Sequence, residues 1–296
     1  RPDGVQITSS HDEDAGVPVY SLYGETRKPT REMMSGIDLM LFDVQDVGAR
    51  FYTYVTTMAC AMEACAEQGI PFVVLDRPNP IGGAMEGNLL DPAFTSFVGA
   101  GPILLRHGMT VGELARLFNA EFGIGADLTV VPVRGWQRGM FYDETGLMWV
   151  PPSPNMPAVE TALVYPGMAL VEGTELSEGR GTTRPFEQVG GPAIDGRRLA
   201  RSLNERGIPG AIFRPAAFLP FASKFSGQPC EGVQVHVADR RAYQAVRAGL
   251  EALTAVRDLF PGVLVWRTTG DGVFPFDRLM GTDRVRQAID AGASAE

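Results

Sequence analysis

Three stretches of the chain carry more chemistry than packing requires. FDVQDVGARFYTY (42–54) closes an apolar run and gathers Asp43, Gln45, Asp46, Arg50 and Tyr52. A second apolar run, IPFVVLDRPNP (70–80), ends in Asp76, Arg77 and Asn79. If both runs are strands of one parallel sheet, these groups share the edge where open α/β sheets bind ligands. The plainer reading is that Asp43 and Asp76 cap neighbouring helices, or that Arg50 and Arg77 pair with them. The third stretch, EGTELSEGRGTTRPFE (172–187), places Glu172, Glu175, Glu178 and Glu187 within sixteen residues. Its glycines let the backbone approach a ligand. Arg180 and Arg184 can keep one carboxylate ionised while another stays protonated, which is the pairing glycoside hydrolysis uses. A solvated acidic loop with local ion pairs would have the same composition.

Two smaller features belong with these. WVPPSPNMP (149–157) is stiffened by four prolines. Trp149 offers either a flat face for a sugar ring or a core aromatic, and Asn155 a polar handle. His107 precedes a helix, where it lines the cleft, caps the helix or stands exposed.

The elements that must position these groups follow from periodicity. The run 37–44 suits a strand buried on both faces. Residues 54–68 carry a helical stripe that Gly69 ends. The next strand stops at Asp76, because Pro78 and Pro80 cannot continue a central ladder. Thr110 and Glu113 form a capping box for a helix that leads to a strand at 128–133. This β-α-β-α-β order predicts an α/β fold, a Rossmann-like parallel sheet over residues 1–150. Residues 135–192 read as long loop with one helix at 158–165. The remainder, in a unit spanning 151–296, reads as α+β: helices at 195–206, 241–259 and after Thr282, and strands at 211–214, 232–239 and 263–266.

Composition narrows the function. The net charge of −9 argues against a nucleic-acid partner. No apolar stretch is long enough for a membrane span. Three cysteines read as buried thiols, and three scattered histidines do not suggest a metal site. The chain has no GxGxxG turn for a dinucleotide and no Gly-x-Ser-x-Gly elbow for a serine hydrolase. A nucleotide or phosphosugar enzyme is therefore a weak reading.

Taken in order, FDVQDVGARFYTY, VVLDRPNPIGG, EGNLLDP, RHGMTVGELA, DLTVVPVRGW, WVPPSPNMP, ALVYPG and EGTELSEGRGTTRPFE resemble the NamZ-like exo-β-N-acetylmuramidases. The resemblance runs from about Val17 to the C-terminal helix. It implies a Rossmann-like domain meeting a smaller α+β domain, with the active site in the cleft between them. It implies release of N-acetylmuramic acid from the non-reducing end of peptidoglycan-derived muramyl saccharides, with no metal or organic cofactor. It also implies a periplasmic or extracellular location. Asp46 and Glu178 are then the candidate catalytic carboxylates. Asp43, Gln45, Arg50, Tyr52, Asp76, Arg77, Asn79, His107, Asn155, Glu172 and Arg180 are candidates for binding substrate.

The family carries a further N-terminal segment with a Gly-Pro-Glu-His-Gly motif that nothing here matches. His11-Asp12-Glu13 stands near that place without the glycines or the proline. Without that segment the sheet is expected to be incomplete, with an exposed strand edge, and a non-catalytic cell-wall sugar-binding protein becomes the alternative. Glu175 stands where the family commonly has asparagine.

Overall fold

The computed structural model describes residues 8–270 and 272–295. Its parallel sheet has the order β3 (Met40–Phe42), β4 (Phe72–Leu75), β7 (Leu128–Val131). The register runs Phe42 against Val74 and Val74 against Val130. α1 (Tyr54–Gln68) and α2 (Val111–Glu121) cover one face. There Phe42, Phe72 and Val74 pack with Met58, Met62, Leu114 and Phe118. Gly69 ends α1 in the left-handed conformation at φ 67°, its N–H reaching back to the last turn. Thr110 and Glu113 close the capping box that starts α2.

β3 differs from its expectation. It is three residues long, and its second face is bare: Leu41 is 58% exposed, and Leu39, just before the strand, 47%. Continuous hydrophobicity predicts burial on both faces, but both helices lie on one side, because the strand order advances in one direction.

Three antiparallel units complete the sheets. β1 (Ser10–Asp12) and β2 (Val17–Val19) form an exposed hairpin that contains His11 and Asp12. β5 (Glu86–Leu89) pairs with β6 (Leu104–Arg106). β8 (Gln188–Gly191), β10 (Cys230–Val237) and β9 (Ala211–Phe218) make the C-terminal sheet, with β10 central. Pro215 is accommodated because β9 is an edge strand. The helices here are α3 (Val159–Met168), α4 (Gly196–Glu205), α5 (Ala245–Leu259), α6 (Pro275–Met280) and α7 (Arg284–Asp290).

Several expectations change. The loop expected at 135–192 contains β8, a 3₁₀ turn at Ala169–Gly173, and a helix that continues to Met168. Residues 263–266 are not a strand; only Trp266 bridges to Thr174. α6 has no counterpart among the expected elements. α3 and α5 cross so closely that a Cβ on Gly167 would meet the Ala245 carbonyl, and one on Gly249 the Gly167 carbonyl. The larger core joins these helices to Val47, Phe51, Tyr52, Ile81, Leu105 and Phe141. Packing is therefore continuous across residue 150. Cys60, Cys65 and Cys230 are free thiols, and only Cys60 is partly exposed.

Candidate active site

The strand ends do converge, but most of their polar groups face the protein. Asp76 Oδ1 accepts from Gly112 N at 2.7 Å and Oδ2 from Thr110 Oγ1 at 2.9 Å, so this carboxylate caps α2. Asn79 Nδ2 donates to Met109 O at 2.9 Å, and its Oδ1 accepts from Ile81 N. Gln45 Nε2 donates to Asp46 O at 2.6 Å and Pro78 O at 3.0 Å, tying the two strand ends together. Arg50 is buried. Its terminal nitrogens donate to the carbonyls of Asn88, Ile103, Leu279 and Met280, at 2.7–3.1 Å. Burial lowers its guanidinium to about 10. Arg50 therefore staples the 42–54 turn to α6 and lines neither of the clefts described below, a correction to its expected place against substrate.

Asp46 is likewise sealed. Gly48 N donates to its Oδ2 at 2.7 Å, and His107 Nε2 lies 3.2 Å from the same oxygen. His107 Nδ1 accepts from Met109 N at 3.1 Å. Nδ1 is thus an acceptor, and Nε2 lies near Asp46 without a hydrogen bond to it. Tyr52 is buried against Tyr54 and Tyr165, with ring centroids 4.7 and 5.9 Å away. Burial raises its phenol well above the usual range.

What remains at the edge is a cleft of about 600 Å³. Asp43 and Arg77 meet there, Nε to Oδ1 at 2.7 Å and Nη2 to the same oxygen at 2.6 Å. Gln45 lines the floor, and Tyr23, Tyr54, Tyr142, Met148, Val150 and Pro152 supply apolar walls. Tyr54 Oη donates to Pro152 O at 2.7 Å and so seats the proline-rich segment. Trp149 takes the core role: it packs on Tyr142 at 5.0 Å and donates to Met156 O. Asn155 is half-buried in the same segment.

The Gly-rich loop lines a second cleft, of about 520 Å³. Arg180 Nε donates to Glu172 Oε1 at 2.7 Å and lies 3.6 Å from Glu178 Oε1. Glu178 is buried, with Lys224 Nζ 2.9 Å from its Oε2. Burial pushes the Glu172 carboxyl up, Arg180 opposes this, and Glu178 adds to it. Glu175 points outward, 3.8 Å from Arg267. Glu187 accepts from Thr161 at 2.7 Å and pairs with Arg184 at 3.1 Å. Both glutamates thus stand outside the cleft.

Lys224 was not visible as a site residue. Its ammonium also donates to the carbonyls of Thr174 and Leu176, at 2.7 and 2.8 Å. It is presented by a tight turn in which Ser223 and Phe225 have φ of 67° and 56°. Neither is a glycine, so nothing in the residue types marks the turn.

Asp46 and Glu178 therefore do not share a cleft. The two clefts do adjoin. Tyr23 lines the first and Phe97 the second, and their rings meet edge to face at 5.7 Å.

Comparison with known proteins agrees with this architecture. A DUF1343 family protein from Bacteroides fragilis NCTC 9343 superposes with a TM-score of 0.89 at 39% identity, over 95% of this chain and 74% of that one. A second from the same organism gives 0.75 at 33% identity, over 96% and 75%. The peptidoglycan β-N-acetylmuramidase NamZ of Bacillus subtilis (strain 168) is 53% identical over 99% of this chain and 70% of its own length. Residues 1–160 match the family described as exo-β-N-acetylmuramidase NamZ, N-terminal, and residues 163–296 match its C-terminal counterpart. The chain belongs to the NamZ exo-β-N-acetylmuramidase family.

Proposed function

We propose that this chain is a glycosidase that releases N-acetylmuramic acid from the non-reducing end of peptidoglycan fragments, and that the terminal sugar binds where β3 and β4 end. Family membership supports the activity. The observation that carries the location is the solvent-facing Asp43–Arg77 pair in an apolar-walled cleft at the strand ends. Asp43, Arg77 and Gln45 offer polar contacts to hydroxyl and acetamido groups, while Tyr23 and Tyr54 offer ring faces.

Hydrolysis needs one group to protonate the leaving oxygen and another to activate water or stabilise the oxocarbenium-like centre. Glu172 suits the acid role. Its proton affinity is raised, and its side chain remains 27% exposed in the adjoining cleft. Glu178, facing Lys224, is its carboxylate partner. Two carboxylates held in unlike surroundings are the usual basis of such a division. Asp46 moves from a catalytic to a positioning role. The proposed setting is the periplasm or cell exterior, where this substrate lies, and cell fractionation tests it.

The activity test is incubation with N-acetylmuramyl-terminated fragments, reading free N-acetylmuramic acid. Release from the non-reducing end is the predicted result. Binding of the fragment without any release would instead favour a cell-wall sugar-binding protein.

A further inference from the structure

Arg27 belongs to neither cluster described above. It stands on the segment between β2 and β3, and its guanidinium lies 4.5 Å from the centroid of the Phe97 ring and 5.4 Å from that of Tyr23. Tyr23 is fixed in turn by its hydroxyl, 3.0 Å from Thr53 Oγ1 and 3.1 Å from Thr57 Oγ1 at the start of α1. Arg27 lines neither cleft itself, but each ring it packs on lines one of them, Tyr23 the first and Phe97 the second. The side chain is exposed, and among the described residues no carboxylate pairs with it. That separates it from the arginines already described. Arg77 is held by Asp43, Arg180 by Glu172, and Arg50 by carbonyls.

An arginine stacked on two rings keeps its N–H edge free while its face is fixed. That edge matches a carboxylate, which it can grip with two parallel hydrogen bonds. The second cleft favours an anion too. Its lining sets Arg180, Lys224, Arg267 and Arg278 against Glu172 and Glu178, in a chain of net charge −9. Recognition of a neutral amino sugar requires no such arrangement. N-acetylmuramic acid differs from N-acetylglucosamine by a lactyl ether that ends in a carboxylate.

We propose that Arg27 is the specificity-determining residue that binds this carboxylate at the junction of the two clefts, selecting a muramyl unit over the neutral amino sugar. The inference rests on the proposed function, but its test separates the two. Binding of N-acetylmuramic acid and of N-acetylglucosamine is measured by calorimetry for the wild type, Arg27→Lys, Arg27→Met and Arg27→Gln. Thermal melting confirms the fold of each, and hydrolysis of a muramyl disaccharide is followed in parallel.

The wild type prefers the acid. Arg27→Met and Arg27→Gln lose about tenfold to a hundredfold of that preference, the usual worth of a charge-assisted hydrogen bond. Arg27→Lys keeps part of it, since it retains the charge without the fork. A purely structural role would weaken both ligands alike. The inference is overturned if the wild type has no preference, or if a folded Arg27→Met or Arg27→Gln keeps it. Hydrolysis with an unaltered preference sinks the Arg27 assignment alone. A preference lost in the variants with no hydrolysis by the wild type sinks the muramidase reading alone.

Discussion

The strand-end cluster and the Gly-rich loop both concentrate polar residues, yet the fold uses them differently. At the strand ends, Asp46, Asp76, Asn79 and Arg50 are each bound to backbone groups, and only Asp43 and Arg77 face the cleft as a charged pair. In the loop, Glu172 and Glu178 both line the cleft and are held there by Arg180 and Lys224. The first region is mostly scaffold with a small working edge. The second brings its charges together where a ligand can meet them. The number of polar groups does not distinguish the two, but the partners each group has do.

The largest difference between the two regions is expected at Arg50. Arg50→Met leaves buried carbonyls without donors, each costing on the order of 1–3 kcal/mol. A total loss of at least ~3 kcal/mol is predicted, a fall of roughly 6–12 °C in Tm for a chain of this size. A calorimetric scan reads it. A Tm within a degree of wild type would mean that Arg50 is no scaffold.

Glu172→Gln comes next. Its kcat on a muramyl disaccharide should fall about 100-fold, the lower end of general-acid contributions. Arg77→Met should raise KM about tenfold with little change in kcat, because it removes charged hydrogen bonds to bound sugar and not a proton. Equal losses in kcat for both variants would erase the distinction between the two clefts.

The smallest effect concerns pH. The Glu172 carboxyl is raised in the folded state, so the native protein holds this proton more tightly than the unfolded chain. Its contribution is present at low pH and is lost as pH rises from the ordinary glutamate range through the raised value. Glu172→Gln should therefore gain Tm relative to wild type above that window and show no gain below it. A gain that does not vary with pH would contradict the assignment.

Much of the scaffold was legible in local pattern. The stripe of α1, the capping box of α2 and the halt of β4 before Asp76 depend on neighbouring residues, and these occur as read. What was not legible depends on distant partners. Arg50 meets carbonyls 229 and 230 positions away. Lys224 reaches the Gly-rich loop from a turn whose left-handed residues are serine and phenylalanine. The bare face of the parallel sheet follows from strand order, which hydrophobicity does not encode. Asp76 could be read as a cap or as a ligand, and only the position of Gly112 decided for the cap.

Whether Glu172 protonates the leaving oxygen of a sugar bound at the strand ends is read by comparing two leaving groups in Glu172→Gln. An aryl β-N-acetylmuramide with a good leaving group needs little protonation, whereas a muramyl disaccharide needs it fully. The expected result is about a 100-fold loss of kcat on the disaccharide and a much smaller loss on the aryl substrate. Equal losses on both substrates, or none on the disaccharide, would contradict it.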